Sequence, residues 1–399
     1  MHPFTRMTAV VASLIVTATL GVTGTAYAAP RSATATEACK LPGRTGWTDE
    51  GHDTMHPVFH PSTGKARAVM LFVDFPDAPA PSGDTDEYYN WLQPGTDWYR
   101  TASNGRLNLT IDPVRRWFRM PQDSGSYGFE RGISFEQQEL YIKQAVAAAD
   151  SVVDFSRYDL VYLVPPKNAA RITFSPAFID DRVDSPGVVA DGHPLRWGAT
   201  FGQDMWRWGS KVLNHETGHT MGLPDLYAFT DPDGTGDWHR YVGGWDIMGD
   251  IAGNAPQYFA WHAWKLGWLD DNQVFCAPQH GRATFPLTPI ERAGGRKMVV
   301  IRTEETTAYV AEYRRAIGLD SKACSSGVVI YRVDSAAWSG YAPIQVMDSK
   351  TDASPPAGCR PLDDGAFRAG QVFEDTAAGV RIRVIASGDG GGVIEVRGS

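Results

Sequence analysis

The sequence predicts an α/β region followed by an all-β, sandwich-like region, and two patterns lead to that prediction. Between residues 66 and 164, buried strand patterns alternate with helical patterns, which is the order of elements in an α/β layer. After Cys276, short β-rich runs recur between turns at regular spacing, as they do in a sandwich. We therefore predict two folded units, at residues 65–272 and 273–399.

The elements of both units are marked by hydrophobic periodicity and by proline. Residues 66–75 are almost continuously apolar, which is typical of a strand buried on both faces. The later elements of the first unit are predicted as a helix over 87–101 interrupted near Pro94, a strand over 106–111, a helix over 135–153, a strand over 158–164 and a helix over 256–268. The β-rich runs of the second unit are 296–301, 308–313, 327–333, 379–385 and 392–396.

The first 28 residues have the features of a secretory signal peptide. Arg6 precedes an apolar run over residues 8–22, and residues 26–28 (Ala-Tyr-Ala) offer the small-x-small pattern of a cleavage site. The run is too short to span a bilayer comfortably. We therefore predict a secreted protein in which residues 29–64 form a lead-in to the first folded unit.

The charge balance excludes some classes of partner. The chain has 37 basic and 46 acidic residues, a net charge of −9, and no run of Lys or Arg. A surface that binds nucleic acid or an anionic membrane needs clustered positive charge. We therefore expect neither nucleic acid nor a membrane as a partner.

The four cysteines predict disulfides, because an even number in an exported chain usually forms them. Four cysteines allow three connectivities. The local choice is Cys324 with Cys359, which leaves Cys39 to join the N-terminus to Cys276. The alternative is that Cys39 is a latency thiol that masks a metal ion, which would leave an odd cysteine among the other three.

One short segment carries most of the chemical information. His215 and His219 are four residues apart, so on a helix they lie on the same face. Two neutral imidazoles placed in this way can bind one zinc ion. Glu216 is rotated by about 100° from His215, so its carboxylate can take a proton from zinc-bound water. The alternative is a helix with two surface histidines, since a five-residue pattern also arises by chance.

The residues after this pattern favour a metal site. Gly222 and Pro224 predict a sharp left-handed turn that ends the helix and can bring Asp225 back to the same ion as a third ligand. A simple turn carboxylate is the alternative for Asp225. No glutamate occurs between Glu216 and Glu291, so an architecture with a downstream glutamate as third ligand is excluded.

A second motif lies further along the chain. Glycines surround Met248 in the segment Gly-Gly-Trp-Asp-Ile-Met-Gly over residues 243–249, which predicts a tight turn. In one superfamily of zinc peptidases, a methionine in such a turn lies under the metal site. An ordinary core methionine is the alternative.

Together these segments resemble the metzincins, and within them most closely the immune inhibitor A-like family of secreted bacterial metallopeptidases. The resemblance rests on the segment His-Glu-Thr-Gly-His-Thr-Met-Gly-Leu-Pro-Asp over residues 215–225, on the Met248 turn, and on Val-Asp-Phe-Pro-Asp over residues 73–77. It covers about residues 65–269. Snapalysin shares the first pattern, with aspartate as the third ligand.

The resemblance implies a metzincin-like catalytic domain, with a mixed twisted sheet and a zinc-binding helix, before the β-rich C-terminal domain. It implies that His215 and His219 are zinc ligands, that Glu216 is the base, and that Met248 is the turn methionine. Asp225 would be the third ligand by similarity to snapalysin. No tyrosine lies two residues after Met248, a position that some metzincins use to stabilise the oxyanion. The oxyanion stabiliser and the activation route are therefore unassigned.

These observations predict a monomeric zinc-dependent endopeptidase that acts on a protein or peptide substrate. Two alternatives are an inert exported binding protein with a structural zinc ion and a zinc hydrolase of cell-wall peptides. A second ion is a weaker hypothesis: residues 231–237 (Asp-Pro-Asp-Gly-Thr-Gly-Asp) space their carboxylates as a calcium loop does, but lack the full EF-hand pattern. A solvated loop is the alternative there.

Overall fold

A computed structural model of the protein describes residues 36–54, 57–81, 85–182, 184, 187–278, 280–350 and 354–398. The predicted signal peptide, residues 1–28, lies outside this part of the chain. Within it, no helix is long and apolar enough to cross a membrane.

The described residues form a mixed α/β protein. The α-helices are α1 (Asp86–Leu92), α2 (Pro94–Ala102), α3 (Phe135–Ala149), α4 (Met205–Trp208), α5 (Ser210–Thr220) and α6 (Ala260–Lys265). The strands before α5 are β1 (Gly64–Asp74), β2 (Leu107–Arg119), β3 (Leu160–Val164), β4 (Ala177–Ile179), β5 (Val189–Ala190), β6 (His193–Pro194) and β7 (Trp197–Thr200). The strands after α6 are β8 (Val274–Cys276), β9 (Gly281–Leu287), β10 (Met298–Arg302), β11 (Thr307–Arg314), β12 (Gly327–Asp334), β13 (Ile344–Met347), β14 (Val372–Asp375), β15 (Val380–Gly388) and β16 (Gly391–Gly398).

The first sheet has the strand order β2-β1-β3-β7-β4, and only β4 runs antiparallel to its neighbour. Successive side chains of a strand point to opposite faces. Met70 and Phe72 of β1 accordingly lie in one apolar cluster, and Leu71 and Val73 lie in another. Both faces of β1 are covered, which explains its continuous apolar sequence.

Helices cover these two faces. On one face, Ile142 and Ala145 of α3 join the cluster of Leu71. On the other face, Leu213 of α5 joins the cluster of Met70. α5 is the helix that carries the paired histidines, so its packing against the sheet fixes the position of both side chains.

Most of the elements predicted for this region are confirmed. The strand predicted at 66–75 is β1, and the interrupted helix is divided into α1 and α2 at Pro94. The strand predicted at 106–111 is the start of β2, and the one at 158–164 contains the whole of β3. The helix at 135–153 is α3, which ends four residues earlier than predicted. The short strands β4 and β7 were not predicted, because segments of three and four residues carry too little periodicity.

The helix predicted over residues 256–268 is too long, since α6 covers only Ala260–Lys265. The backbone N–H of Gln257 donates to the Asp320 carboxylate at 2.9 Å, and that of Phe259 donates to Asp246 at 2.7 Å. These side chains take the place of helical acceptors, so the chain stays extended until Phe259. Both carboxylates come from distant parts of the sequence, where local periodicity carries no information about them.

Two more sheets follow α6, with the orders β13-β12-β11-β10-β8 and β14-β15-β16-β9. They share an apolar cluster to which Ile330 of β12 and Ile382 of β15 contribute. The opposite face of β11 and β12, including Val310 and Tyr331, lies in the same cluster as β1 and α5. The five predicted runs correspond to β10, β11, β12, β15 and β16, and the described chain from Thr36 onward packs as one compact unit.

Two disulfides join Cys39 to Cys276 and Cys324 to Cys359, and no cysteine is free. This confirms the predicted pairing and overturns the alternative of a latency thiol at Cys39. Disulfides persist in oxidising compartments, so the two bonds are consistent with an extracellular location. The first of them ties the lead-in segment to the start of the second sheet.

The lead-in also enters the protein interior through charged residues. Glu50 and His262 are fully buried, and Glu50 Oε1 lies 3.0 Å from His262 Nε2. On its other side, His262 Nδ1 lies 2.9 Å from Asp246 Oδ2. Burial opposes the positive charge on His262, but the attraction of Glu50 and Asp246 outweighs it and raises the pKa of His262 to about 10.

This arrangement predicts that the protein loses stability at alkaline pH. The pKa of His262 is above its unfolded value of 6.5, so its contribution is fully present below about pH 6.5 and is lost as the pH rises toward 10. We expect the free energy of unfolding, measured with urea, to fall across this interval by an amount on the order of a few kcal/mol. The variant His262→Gln should be less stable at pH 6 and show a flatter pH profile, whereas His193→Gln in the small β5–β6 sheet should keep the wild-type profile. Equal slopes for wild type and His262→Gln would contradict the assignment.

Candidate metal centre

The helix α5 places the two predicted histidines on one face. Gly209 has a φ of +63°, which separates α5 from the preceding α4. His215 and His219 then follow one helical turn apart, and their ring centroids are 4.8 Å from each other. The buried hydroxyl groups of Tyr99 and Tyr258 donate to the Asn214 carbonyl at 2.6 and 3.0 Å. These bonds hold the helix from its inner side.

The helix ends in the turn that the sequence predicts. Gly222 has a φ of +89°, its N–H donates to the His219 carbonyl, and the N–H of Leu223 donates to the Gly218 carbonyl. This pair of bonds is the Schellman arrangement, which requires a left-handed residue at the position of Gly222. The turn also positions a ligand, because His219 Nδ1 lies 2.8 Å from the Leu223 carbonyl oxygen.

The Met248 turn supplies the matching contact for the other histidine. His215 Nδ1 lies 2.9 Å from the carbonyl oxygen of Ile247. The next carbonyl, that of Met248, accepts the N–H of Leu226 at 3.0 Å and so fixes the segment that carries Asp225. Met248 itself is fully buried in the same apolar cluster as α5, beneath Gly218. Met248 therefore packs against the helix that carries the paired histidines, and its role as the turn methionine of a metal site stays a prediction.

Three ligand atoms converge where the sequence predicts a metal site. Asp225 Oδ1 lies 3.1 Å from His215 Nε2 and 3.2 Å from His219 Nε2, and the two Nε2 atoms are 3.2 Å apart. These three side chains, found among the described residues, are close enough to one another to hold a metal ion. The turn after α5 does bring Asp225 back to the histidines.

The donor set fits a zinc ion. Both Nδ1 atoms face backbone carbonyls, so in the neutral rings both protons lie there and both Nε2 lone pairs point into the cluster. Two facing lone pairs and a carboxylate oxygen repel one another unless a metal ion or a proton lies between them. Zinc–nitrogen and zinc–oxygen bonds of about 2.0–2.1 Å in a tetrahedron put neighbouring ligand atoms about 3.3 Å apart. The three observed separations match that value closely.

Glu216 occupies the position of a base beside this cluster. Its carboxyl group is buried, and burial raises the pKa of Glu216 to about 7 against the opposing attraction of His215 and His219. A carboxylate with such a pKa can both accept and return a proton near neutral pH. For Asp225 burial acts in the same direction, but the positive charge of His219 outweighs it and holds the pKa of Asp225 well below its usual range.

Tyr227 is a residue of this site that the sequence reasoning missed. Its ring stacks against the His215 ring with centroids 6.2 Å apart, and its hydroxyl is hydrogen-bonded to Arg131. Burial and the negative charge of Asp225 raise its pKa above the usual range, so it keeps its proton. A phenol that remains a donor can stabilise developing negative charge. Its position two residues after Asp225 is the signal that the sequence offers for it.

The other histidines and the acidic loop have different roles. His262 belongs to the buried ion pair with Glu50 and Asp246, and His239 Nδ1 lies 2.7 Å from the Gly249 carbonyl oxygen. In the loop considered for calcium, the carboxylate of Asp231 accepts the N–H groups of Thr235 and Gly236 and pairs with Arg240. A calcium ion would have to compete with these partners, and the calcium hypothesis stays a prediction.

Comparison with known proteins identifies no relative of this chain. No protein-family model matches the chain, and no curated protein matches it.

A glycine in α5 makes the close contact with the Met248 turn possible, which predicts the effect of enlarging it. A Cβ atom at Gly218 would lie 2.5 Å from Tyr258 Oη and 2.9 Å from Met248 Sδ. We expect Gly218→Ala to lower the free energy of unfolding by about 1–3 kcal/mol through overpacking. A urea titration measures this loss. In the control Gly388→Ala the new Cβ meets nothing within 4 Å, so a similar loss there, or wild-type stability for Gly218→Ala, would count against the contact.

Proposed function

We propose that the protein is a zinc-dependent endopeptidase in which His215, His219 and Asp225 hold the metal ion. The observation that supports this most directly is the convergence of their three ligand atoms at 3.1–3.2 Å. A site closed by a fourth protein ligand would be typical of structural zinc. Here the cluster found among the described residues has three members, with a buried carboxyl group beside it. Three ligands and an adjacent base are typical of a hydrolytic site.

The metal ion, when bound, supplies Lewis acidity that polarises a carbonyl group and lowers the pKa of water. Glu216 takes the proton of the attacking water on its carboxylate and then returns that proton to the leaving amine. The pKa of about 7 suits both transfers, because neither form of the carboxyl group is strongly favoured at neutral pH. Tyr227 keeps its hydroxyl proton and donates it as a hydrogen bond to the oxyanion.

The edge of the first sheet favours an extended polypeptide as substrate. In the described part of the chain, β4 is the last strand of this sheet, and it contacts α5. An exposed strand edge offers backbone donors and acceptors to an extended peptide. A peptide paired with β4 would pass the histidines of α5.

The wider assignment belongs to the same proposal. We propose a metzincin-type catalytic domain over residues 65–272 and a β-rich C-terminal domain over residues 273–399. The turn at Met248 and the Asp225 ligand support the first, and the two β-sheets with a common apolar cluster support the second. We also propose that the protein is secreted, which its two disulfides favour. We further propose that it acts as a monomer.

The variant Glu216→Gln tests the proposed base. It keeps the shape of the side chain but removes its ability to accept a proton, so zinc should bind as in the wild type. Casein digestion should fall by at least about 100-fold. Metal analysis of the purified variant separates loss of the base from loss of the ion, and the exposed Glu304→Gln is the matched control. Near wild-type digestion by Glu216→Gln would overturn the assignment.

Removal of the metal ion tests the class of enzyme. Digestion of denatured protein should stop after exhaustive chelation with 1,10-phenanthroline and return with stoichiometric zinc, because the proposed mechanism needs the Lewis acidity of the ion. Mass spectrometry of the fragments distinguishes internal cleavage of proteins from hydrolysis of cell-wall peptides. Full activity in the chelated protein would rule out the zinc mechanism, and zinc binding without any hydrolysis would favour the inert binding protein.

A further inference from the structure

The metal-ligand cluster is reached by a loop from the β-rich C-terminal region. This loop, residues 335–343, joins β12 to β13. The N–H of Asp225 donates to the Ser339 hydroxyl at 2.8 Å, and the N–H of Gly340 donates to the Asp225 carbonyl at 2.9 Å. The N–H of Phe229 in turn donates to the Gly340 carbonyl at 3.1 Å. The third ligand is therefore bound on both sides of its backbone by residues more than a hundred positions away.

The Ser339 hydroxyl also distinguishes the two carboxylate oxygen atoms of Asp225. Asp225 Oδ1 faces the two histidine Nε2 atoms, whereas Oδ2 lies 3.4 Å from Ser339 Oγ, which donates to it. A hydroxyl group can accept one hydrogen bond and donate another, so Ser339 serves the N–H and the carboxylate of the same residue. This contact holds Oδ1 toward the histidines and turns Oδ2 away from them.

The loop is rigid enough to act in this way. The N–H of Asp334 donates to the Pro343 carbonyl across its base, and that of Tyr341 donates to the Trp338 carbonyl across its tip. Gly340 has a φ of +76°, and a Cβ atom there would lie 2.2 Å from the Phe229 ring. Only glycine therefore permits both the backbone conformation and the close approach to Phe229 in the segment that follows Asp225.

We propose that Ser339 is a positioning residue for the zinc ligand Asp225, so that the C-terminal β region completes the metal centre. The inference rests on the proposed function, because it takes the cluster to be a zinc site. It adds that Asp225, in the predicted unit 65–272, is oriented by Ser339, which belongs to the predicted unit 273–399. Partners that orient a metal ligand typically change metal affinity by about 10- to 100-fold when removed.

The test compares zinc affinity among full-length variants, measured by competition with a zinc-binding fluorescent indicator. We expect Ser339→Ala to raise the zinc dissociation constant by at least about 10-fold. Ser339→Thr keeps a hydroxyl group and should bind zinc within a few-fold of the wild type. Ser339→Val has the shape of threonine without the hydroxyl and should bind as weakly as Ser339→Ala. The exposed Ser387→Ala is the control and should be unchanged.

The outcomes separate this inference from the proposed function. Wild-type zinc affinity in both Ser339→Ala and Ser339→Val overturns the role of Ser339 while leaving the zinc peptidase intact. A wild-type protein that binds no zinc overturns both. If Ser339→Ala fails to fold, the Thr/Val pair decides: equal zinc affinity in those two variants contradicts the proposal, and a 10-fold difference supports it. Ser339→Ala and Ser339→Val also remove the acceptor of the Asp225 N–H, so both should unfold at a somewhat lower temperature than the wild type without metal. Zinc affinity is therefore measured at a temperature where every variant is folded.

Discussion

The candidate metal centre depends on two backbone carbonyl groups, those of Leu223 and Ile247, which accept the Nδ1–H groups of His219 and His215. Each carbonyl fixes the tautomer and the rotation of one ring, and so directs its Nε2 lone pair to a common point. Neither carbonyl belongs to the helix that carries the histidines. The geometry of the site is therefore set by two turns, and whatever holds those turns in place also holds the ligands.

Both turns are held by residues outside them. Lys265 Nζ donates to the Gly222 carbonyl at 3.0 Å in the turn after α5, and buried charged groups hold the Met248 turn. Asp246 accepts the N–H of Met248 with one carboxylate oxygen and contacts His262 with the other. His262 reaches Glu50 in the lead-in. From the other direction, the fully buried Arg314 of β11 donates to the carbonyl of Trp245. Breaking a buried charged pair costs far more than losing a surface contact, so the turn is fixed firmly from both ends of the chain.

This arrangement changes how the lead-in and the β-rich region are understood. Both have the sequence character of accessory segments, one polar and rich in turns, the other a series of short strands. In the folded protein they contribute buried partners to the same layer that supports α5, and the disulfide from Cys39 to Cys276 links them directly.

The sequence by itself determined the parts of the protein that depend on near neighbours. The spacing of His215 and His219, the turn at Gly222 and the apolar alternation of β1 are all local, because helix, turn and strand geometry relate residues only a few positions apart. The sequence favoured the local pair Cys324–Cys359 but left three connectivities open, and the structure decided among them.

Only the tertiary structure decided what depends on residues far apart in sequence. It shortened α6 and placed Ser339 beside the carboxylate of Asp225. It also stacked Tyr227 on His215 and fixed the approach of Asp225 that the turn at Gly222 permits. Each of these contacts joins segments whose approach is set by the packing of sheets and buried charges. Periodicity carries no record of which distant residue will face a given side chain, so the loop at Ser339 had no signal in the sequence.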